Sequence, residues 1–157
     1  MAESDIEIAR GLMDAFFNHD VAGVFAALDP EIEFHPPPEF PGVEDYHGYP
    51  GMWRAFGVWL GMWGSLEYET PEYIDAGERV IVAIRQRGEA KGSGAETRAE
   101  VFNLLTLHAG KVVRFDMFFE RDAALAAAGL SPIEADSSPS AGNAHVRRRA
   151  RSWNRPG

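Results

Sequence analysis

The chain has 157 residues, no cysteine, 45% hydrophobic side chains and a net charge of −9. That is enough chain for one domain with a real core, and the missing cysteines exclude disulfides, zinc–thiolate sites and thiol nucleophiles. Residues 1–130 carry 22 acidic against 10 basic side chains, a net of −12, while residues 131–157 carry 2 against 5, a net of +3; an acidic body argues against nucleic acid as the main partner, because phosphate recognition needs clustered Lys and Arg.

In chain order, Ser4-Asp5-Ile6-Glu7 is a capping-box pattern, followed by Ile8, Leu12 and Phe16 at helical spacing. Asn18-His19-Asp20 ends this helix, and Asp20 caps a second from Val21 to Leu28, stopped by Asp29-Pro30. A short strand, Glu31-Ile32-Glu33-Phe34-His35, runs into Pro36-Pro37-Pro38, which cannot continue a ladder. A loop from Pro36 to Gly51 precedes a third helix whose Met52, Phe56, Trp59, Leu60 and Trp63 follow helical spacing up to Gly64. The rest is strand-like: Leu66 to Asp75 with Pro71 marking a bulge or edge, then Arg79 to Gly88, Thr97 to His108, and Lys111 to Glu120. Asp122 to Ala128 is a short alanine-rich helix capped by Gly129.

Helices followed by a long antiparallel sheet predict an α+β domain over residues 1–130. Residues 131–157, with Arg147-Arg148-Arg149-Ala150-Arg151 in a Ser-, Pro- and Gly-rich context, read as a flexible basic tail. The N-terminus lacks the basic start and apolar run of a signal peptide, and no stretch approaches the roughly 18 apolar residues of a membrane span. A cytoplasmic location and no membrane contact are the expectation.

For the last hairpin, a two-residue Ala109-Gly110 loop predicts that His108 faces Lys111, with Phe102 opposite Met117, Leu104 opposite Phe115 and Glu100 opposite Phe119. This register turns Phe102, Leu104, Phe115 and Met117 toward the helices. Glu100 joins them as a carboxylate on an apolar face, and Val101, Leu105, Leu107, Val112 and Phe118 form an outer face apolar enough for a homodimer. In the preceding hairpin, a three-residue Gly92-Ser93-Gly94 loop turns Val80, Val82, Ile84 and Gln86 inward; a two-residue loop instead sets Arg85 or Arg87 beside Glu100.

Several stretches carry a family likeness: Phe17-Asn18-His19-Asp20, Asp29-Pro30-Glu31-Ile32-Glu33-Phe34-His35-Pro36, Tyr46-His47-Gly48-Tyr49-Pro50-Gly51, Asp75-Ala76-Gly77-Glu78-Arg79-Val80, and Gly110-Lys111-Val112-Val113 through Arg121. Over roughly residues 4–130 the chain resembles the nuclear transport factor 2-like superfamily, in its SnoaL-like polyketide cyclase and ketosteroid isomerase branch. The resemblance implies a curved antiparallel sheet wrapped on helices into a cone with an apolar pocket, and dimerisation through the sheet. It also places His35-Pro36 where ketosteroid isomerase keeps its general-base Asp. Leu12 and Phe102 stand where that enzyme keeps its oxyanion-hole Tyr and protonated Asp, so steroid isomerisation by that route is not expected.

The functional expectation is a small-molecule enzyme on an apolar, carbonyl-bearing ligand, with isomerisation, cyclisation or dehydration as the chemistry. His35 is the candidate base, since imidazole exchanges a proton near neutral pH, and Glu100 is its orienting carboxylate. Tyr46 or Trp53 supplies a hydrogen bond to the substrate oxygen, while Phe56, Trp63, Phe102, Leu104, Phe115, Met117 and Phe119 line the pocket. No cofactor is expected, and no metal site, because the histidines lack ligand spacing. The alternatives are a non-catalytic protein binding an apolar ligand in the same cavity, and a dimeric interaction module.

Overall fold

The computed structural model describes residues 2–38, 40, 46–131 and 148–150. Helix α1 (Ala2–Phe17) buries Ala9, Leu12, Met13 and Phe17 on one stripe. It ends at His19, whose positive φ of 57° is a left-handed turn. Asp20 then accepts a hydrogen bond from the Gly23 amide at 3.0 Å and caps α2 (Val21–Ala26). This second helix stops two residues earlier than the pattern predicted, because Leu28 is already paired with Val112 in the sheet.

Strand β1 (Leu28–His35) alternates strictly over its second half: Ile32 and Phe34 are buried, and Glu31, Glu33 and His35 are exposed. A two-residue strand, β2 (Tyr46–His47), leads into α3 (Gly48–Gly61). The helix opens four residues before the expected start, with Pro50 in its first turn where a missing N–H costs nothing. Gly51 is required there, since a Cβ would lie 2.8 Å from the Tyr46 carbonyl carbon.

Trp63 and Gly64 leave the helix and begin β3 (Trp63–Tyr68). The long strand expected over 66–75 is two strands, β3 and β4 (Glu72–Asp75), parted at the Thr70-Pro71 step where a ladder donor is missing. The others are β5 (Arg79–Ala90), β6 (Glu96–His108) and β7 (Lys111–Phe118), followed by α4 (Arg121–Ala127) and β8 (Arg148–Ala150). The curved, unclosed sheet runs β2-β1-β7-β6-β5-β3-β8, with β4 also paired to β5.

Three expectations are corrected. First, the sheet is not wholly antiparallel: β1 joins β7 in parallel, a pairing open to it because no tight turn links the two strands. Second, the β6–β7 register holds as predicted only for His108 with Lys111 and Leu107 with Val112. Val113 is then an extra residue, a β-bulge, so Thr106 faces Arg114, Leu104 faces Asp116 and Phe102 faces Phe118. β6 alternates unbroken, with Val101, Asn103, Leu105 and Leu107 inward and Phe102, Leu104 and Glu100 outward, and the bulge lets Phe115 and Met117 join Val112 on the inner side.

Third, of the residues assigned to an outer dimer face, all but Phe118 belong inside. Val101, Leu105, Leu107 and Val112 are buried in the main core between the inner face and helices α1 to α3. The outer apolar residues Ile74, Ile81, Phe102 and Leu104 form a second cluster under Ala124, Leu125 and Ala128, with Phe118 beside them. Arg79 fastens the covering α4 by donating to the Ala127 and Ala128 carbonyls at 3.0 and 3.1 Å.

The β5–β6 hairpin turns Val80, Val82, Ile84 and Gln86 inward, and also sets Arg85 opposite Glu100 on the outer face. The two outcomes posed as alternatives occur together, because one register serves both faces. At the C-terminus, Arg148–Ala150 pairs antiparallel with β3, Arg149 standing opposite Glu67. The remainder of the expected flexible tail, residues 132–147 and 151–157, lies outside the described residues.

Candidate ligand-binding site

Two concavities are candidates. The larger, about 430 Å³, lies over β3, β5 and β6; Glu67, Glu69, Arg85, Arg87, Arg98 and Glu100 edge it, and Tyr68, Gln86, Ala99 and Phe119 also line it. Its arginines are already matched: Arg87 donates to Glu67, Arg85 to Glu100 at 3.4 Å, and Arg98 stands 3.8 Å from Glu96. The Glu67 hydrogen bond and charge hold the Arg87 guanidinium above its already high ordinary pKa. A grid of paired charges, exposed but for the half-buried Arg87–Glu67 pair, offers a ligand little uncompensated field.

The second concavity, about 80 Å³, lies between the inner sheet face and the helices. α1 supplies Leu12, Met13 and Phe16, α3 supplies Met52, Ala55, Phe56 and Trp59, and β1 supplies Phe34. The sheet adds Tyr68 from β3, Ile84 and Gln86 from β5, Val101 and Asn103 from β6, and Phe115 and Met117 from β7. The rings brace one another: Phe34 meets Phe115 edge-on at 5.0 Å, and Phe16 meets Phe56 and Tyr68 at 5.9 and 6.0 Å.

Polar groups in this wall are few. Gln86 and Asn103 are the buried polar residues of the described core, 6% and 7% exposed, and Tyr68 is 2% exposed. Neither the Tyr68 hydroxyl nor the Gln86 Nε2 has a hydrogen-bond partner among the described residues. Burial pushes the Tyr68 phenol well above its ordinary value, so it stands as a neutral donor.

Of the residues expected at the site, Phe56, Phe115 and Met117 line this cavity. Tyr46 is buried behind it, packed on Phe34 at 5.5 Å, and Trp53, between Met52 and Ala55 on α3 but outside the cavity lining, sits on Phe25 at 6.1 Å. Trp63 lies against Trp59 at 5.8 Å, and Phe119 stacks on Trp59 at 6.1 Å. Phe102 and Leu104 are on the opposite side of the sheet, where the alternation of β6 puts them once Leu105 and Leu107 face the core.

The expected acid–base pair is not assembled. His35 is 43% exposed and bonds Glu33 at 3.2 Å, on the outward set of β1 with Glu31 and Glu33. Glu100 is 52% exposed beside Arg85, two strands away in the sheet order. Neither lines the cavity. The cavity-lining groups not expected from the sequence are Tyr68 and Asn103, together with the wall from α1. Gln86 was turned inward correctly, but its role as a polar wall group was not drawn. Among the described residues no cluster of three or more His, Asp or Glu is placed to hold a metal, and no helix is long and apolar enough to cross a membrane.

Comparison with known proteins agrees with this geometry. None of the curated proteins matches the chain in sequence. Among solved structures, an NTF2-like protein of Burkholderia thailandensis is 27% identical, covering 81% of this chain and 98% of its own, with a TM-score of 0.64. A protein of Jannaschia sp. assigned as a SnoaL-like polyketide cyclase is 19% identical over 84% of this chain and 96% of its own, at 0.62. TerC, co-crystallised with polyporic acid, is 19% identical over 80% and 98%, at 0.64. The SnoaL-like domain model matches residues 9–115, and these include both the cavity-forming helices and the sheet through Phe115. The chain therefore belongs to the SnoaL-like family of the NTF2-like superfamily.

Proposed function

We propose that this protein binds a compact, apolar small molecule in the inner cavity. One observation carries the reading: the cavity wall is aliphatic and aromatic, and Tyr68 is the one ionisable residue among those lining it. Proton abstraction at this site would need a base of suitable pKa within hydrogen-bond reach of the substrate. His35 and Glu100 stand on the outer face instead, so binding is favoured over turnover. The space, about 80 Å³, is small beside the roughly 300–1,000 Å³ of drug-sized ligand pockets. The favoured ligand is thus a single small ring or a short chain. That TerC, of the same fold, has been crystallised with polyporic acid supports small-molecule binding as a use of this architecture.

An NMR titration with methylenecyclopentane tests the reading. A saturable response confined to the cavity residues is expected in the wild type and in His35→Ala. Ala55→Leu puts three more carbons into the cavity and should abolish it, while overpacking costs about 1–3 kcal/mol and leaves folding cooperative. A wild type without saturable binding overturns the proposal.

A further inference from the structure

We infer that Tyr68 and Gln86 form a paired donor site for a single carbonyl oxygen, so that the cavity prefers apolar ketones and aldehydes to hydrocarbons of the same shape. The inference rests on the cavity being a binding site and adds its chemical selectivity. Tyr68 and Gln86 are direct cross-strand partners in the β3–β5 ladder, both on the inward face. Side chains at such positions start from Cβ atoms about 4.5–5.5 Å apart, close enough for two donors to reach one atom.

Both residues are more than nine-tenths buried, and the Tyr68 hydroxyl and Gln86 Nε2 have no partner among the described residues. Buried donors are nearly always satisfied in native proteins, because leaving one unmade costs its desolvation. Two neighbouring donors facing one cavity are explained together if a ligand acceptor completes them. A carbonyl oxygen carries two lone pairs and accepts both. A carboxylate fits poorly, because no Lys, Arg or His lines the cavity to balance its charge. Asn103, the third polar residue of the wall, stands opposite Val82, four positions along β5 from Gln86, and is not part of the pair.

The test compares cyclopentanone with methylenecyclopentane, two ligands of nearly one shape that differ in C=O against C=CH2, by NMR titration of the full chain. The quantity read is the ratio of the two dissociation constants, which cancels their common packing. Tyr68→Phe and Gln86→Met each remove one donor with little change of volume, and each should cut the preference for the ketone by about tenfold. A purely structural role for either residue would weaken both ligands alike and leave the ratio fixed. If both ligands bind and the ratio is the same in the wild type and in whichever variants fold, the donor pair is wrong and the cavity reading stands. If neither ligand binds the wild type, both are overturned.

Discussion

Tyr68 connects site and stability through one proton. In the unfolded chain its phenol ionises near its ordinary value of 10.0, whereas burial in the fold raises that value. Above pH 10 the unfolded state therefore holds fewer protons than the folded state, and stability falls as pH rises, with a slope approaching about 1.4 kcal/mol per pH unit. Tyr68→Phe lacks this proton. Urea denaturation of both proteins between pH 9 and pH 11 should show the wild type losing stability relative to the variant above pH 10. Identical pH dependence would mean that the phenol is solvated in the fold. The same scale shows what residue types can and cannot announce. His35 before a proline marks a strand end, but the buried alternation of Ile32 and Phe34 already turns His35 outward. Tyr68, the group that does face the cavity, lies in an ordinary strand pattern with nothing in its neighbours to single it out.

At the scale of elements, most of the fold was legible because its signals are local: the Asp20 cap, the Pro71 break, the left-handed Ala109-Gly110 turn and the alternation of β5 all stand where chain chemistry puts them. What was not legible is the Val113 bulge. One inserted residue in β7 leaves the turn-proximal pairs intact and lets both Val112 and Phe115 face inward, while β6 alternates unbroken and turns Val101, Asn103 and Leu105 inward with Leu107. No local preference of Val113 demands this; it is set by the burial of Val112 and Phe115 together, a tertiary requirement. The error carried into the site, exchanging Asn103 for Phe102 and Glu100. A variant separates the two registers. Leu105→Glu would sit harmlessly on an exposed face in the unbulged register, but Leu105 is 1% exposed in the core. It should cost more than the about 2–5 kcal/mol of a core Leu→Ala change, since it also buries an unpaired carboxylate. Near-wild-type melting of Leu105→Glu would restore the unbulged register.

Across the whole molecule, an acidic body ends in a basic segment that comes back to it. β8 extends the sheet beyond β3 and sets Arg149 opposite Glu67. This pairing spans three residues, whose hydrogen bonds are worth about 0.5–1.5 kcal/mol each, against roughly 1–2 kcal/mol per residue to order the backbone. The two nearly cancel, so the strand adds little net stability. Among the described residues, the main core, from α1 to α3 and the inner face, and the outer cluster under α4 are built from residues up to Leu130. Deleting residues 132–157 should therefore leave the cavity's affinity for methylenecyclopentane unchanged and shift the melting temperature by less than about 4 °C, the change that roughly 1 kcal/mol produces in a domain of this size. Glu67 and Glu69 flank the β3 edge so uncovered, and charged side chains along an edge disfavour strand addition by a second copy; light scattering at micromolar concentration should find the truncated chain no more associated than the full one. A larger loss of melting temperature, with the cavity's binding weakened in parallel, would make β8 an integral part of the wall that carries Tyr68.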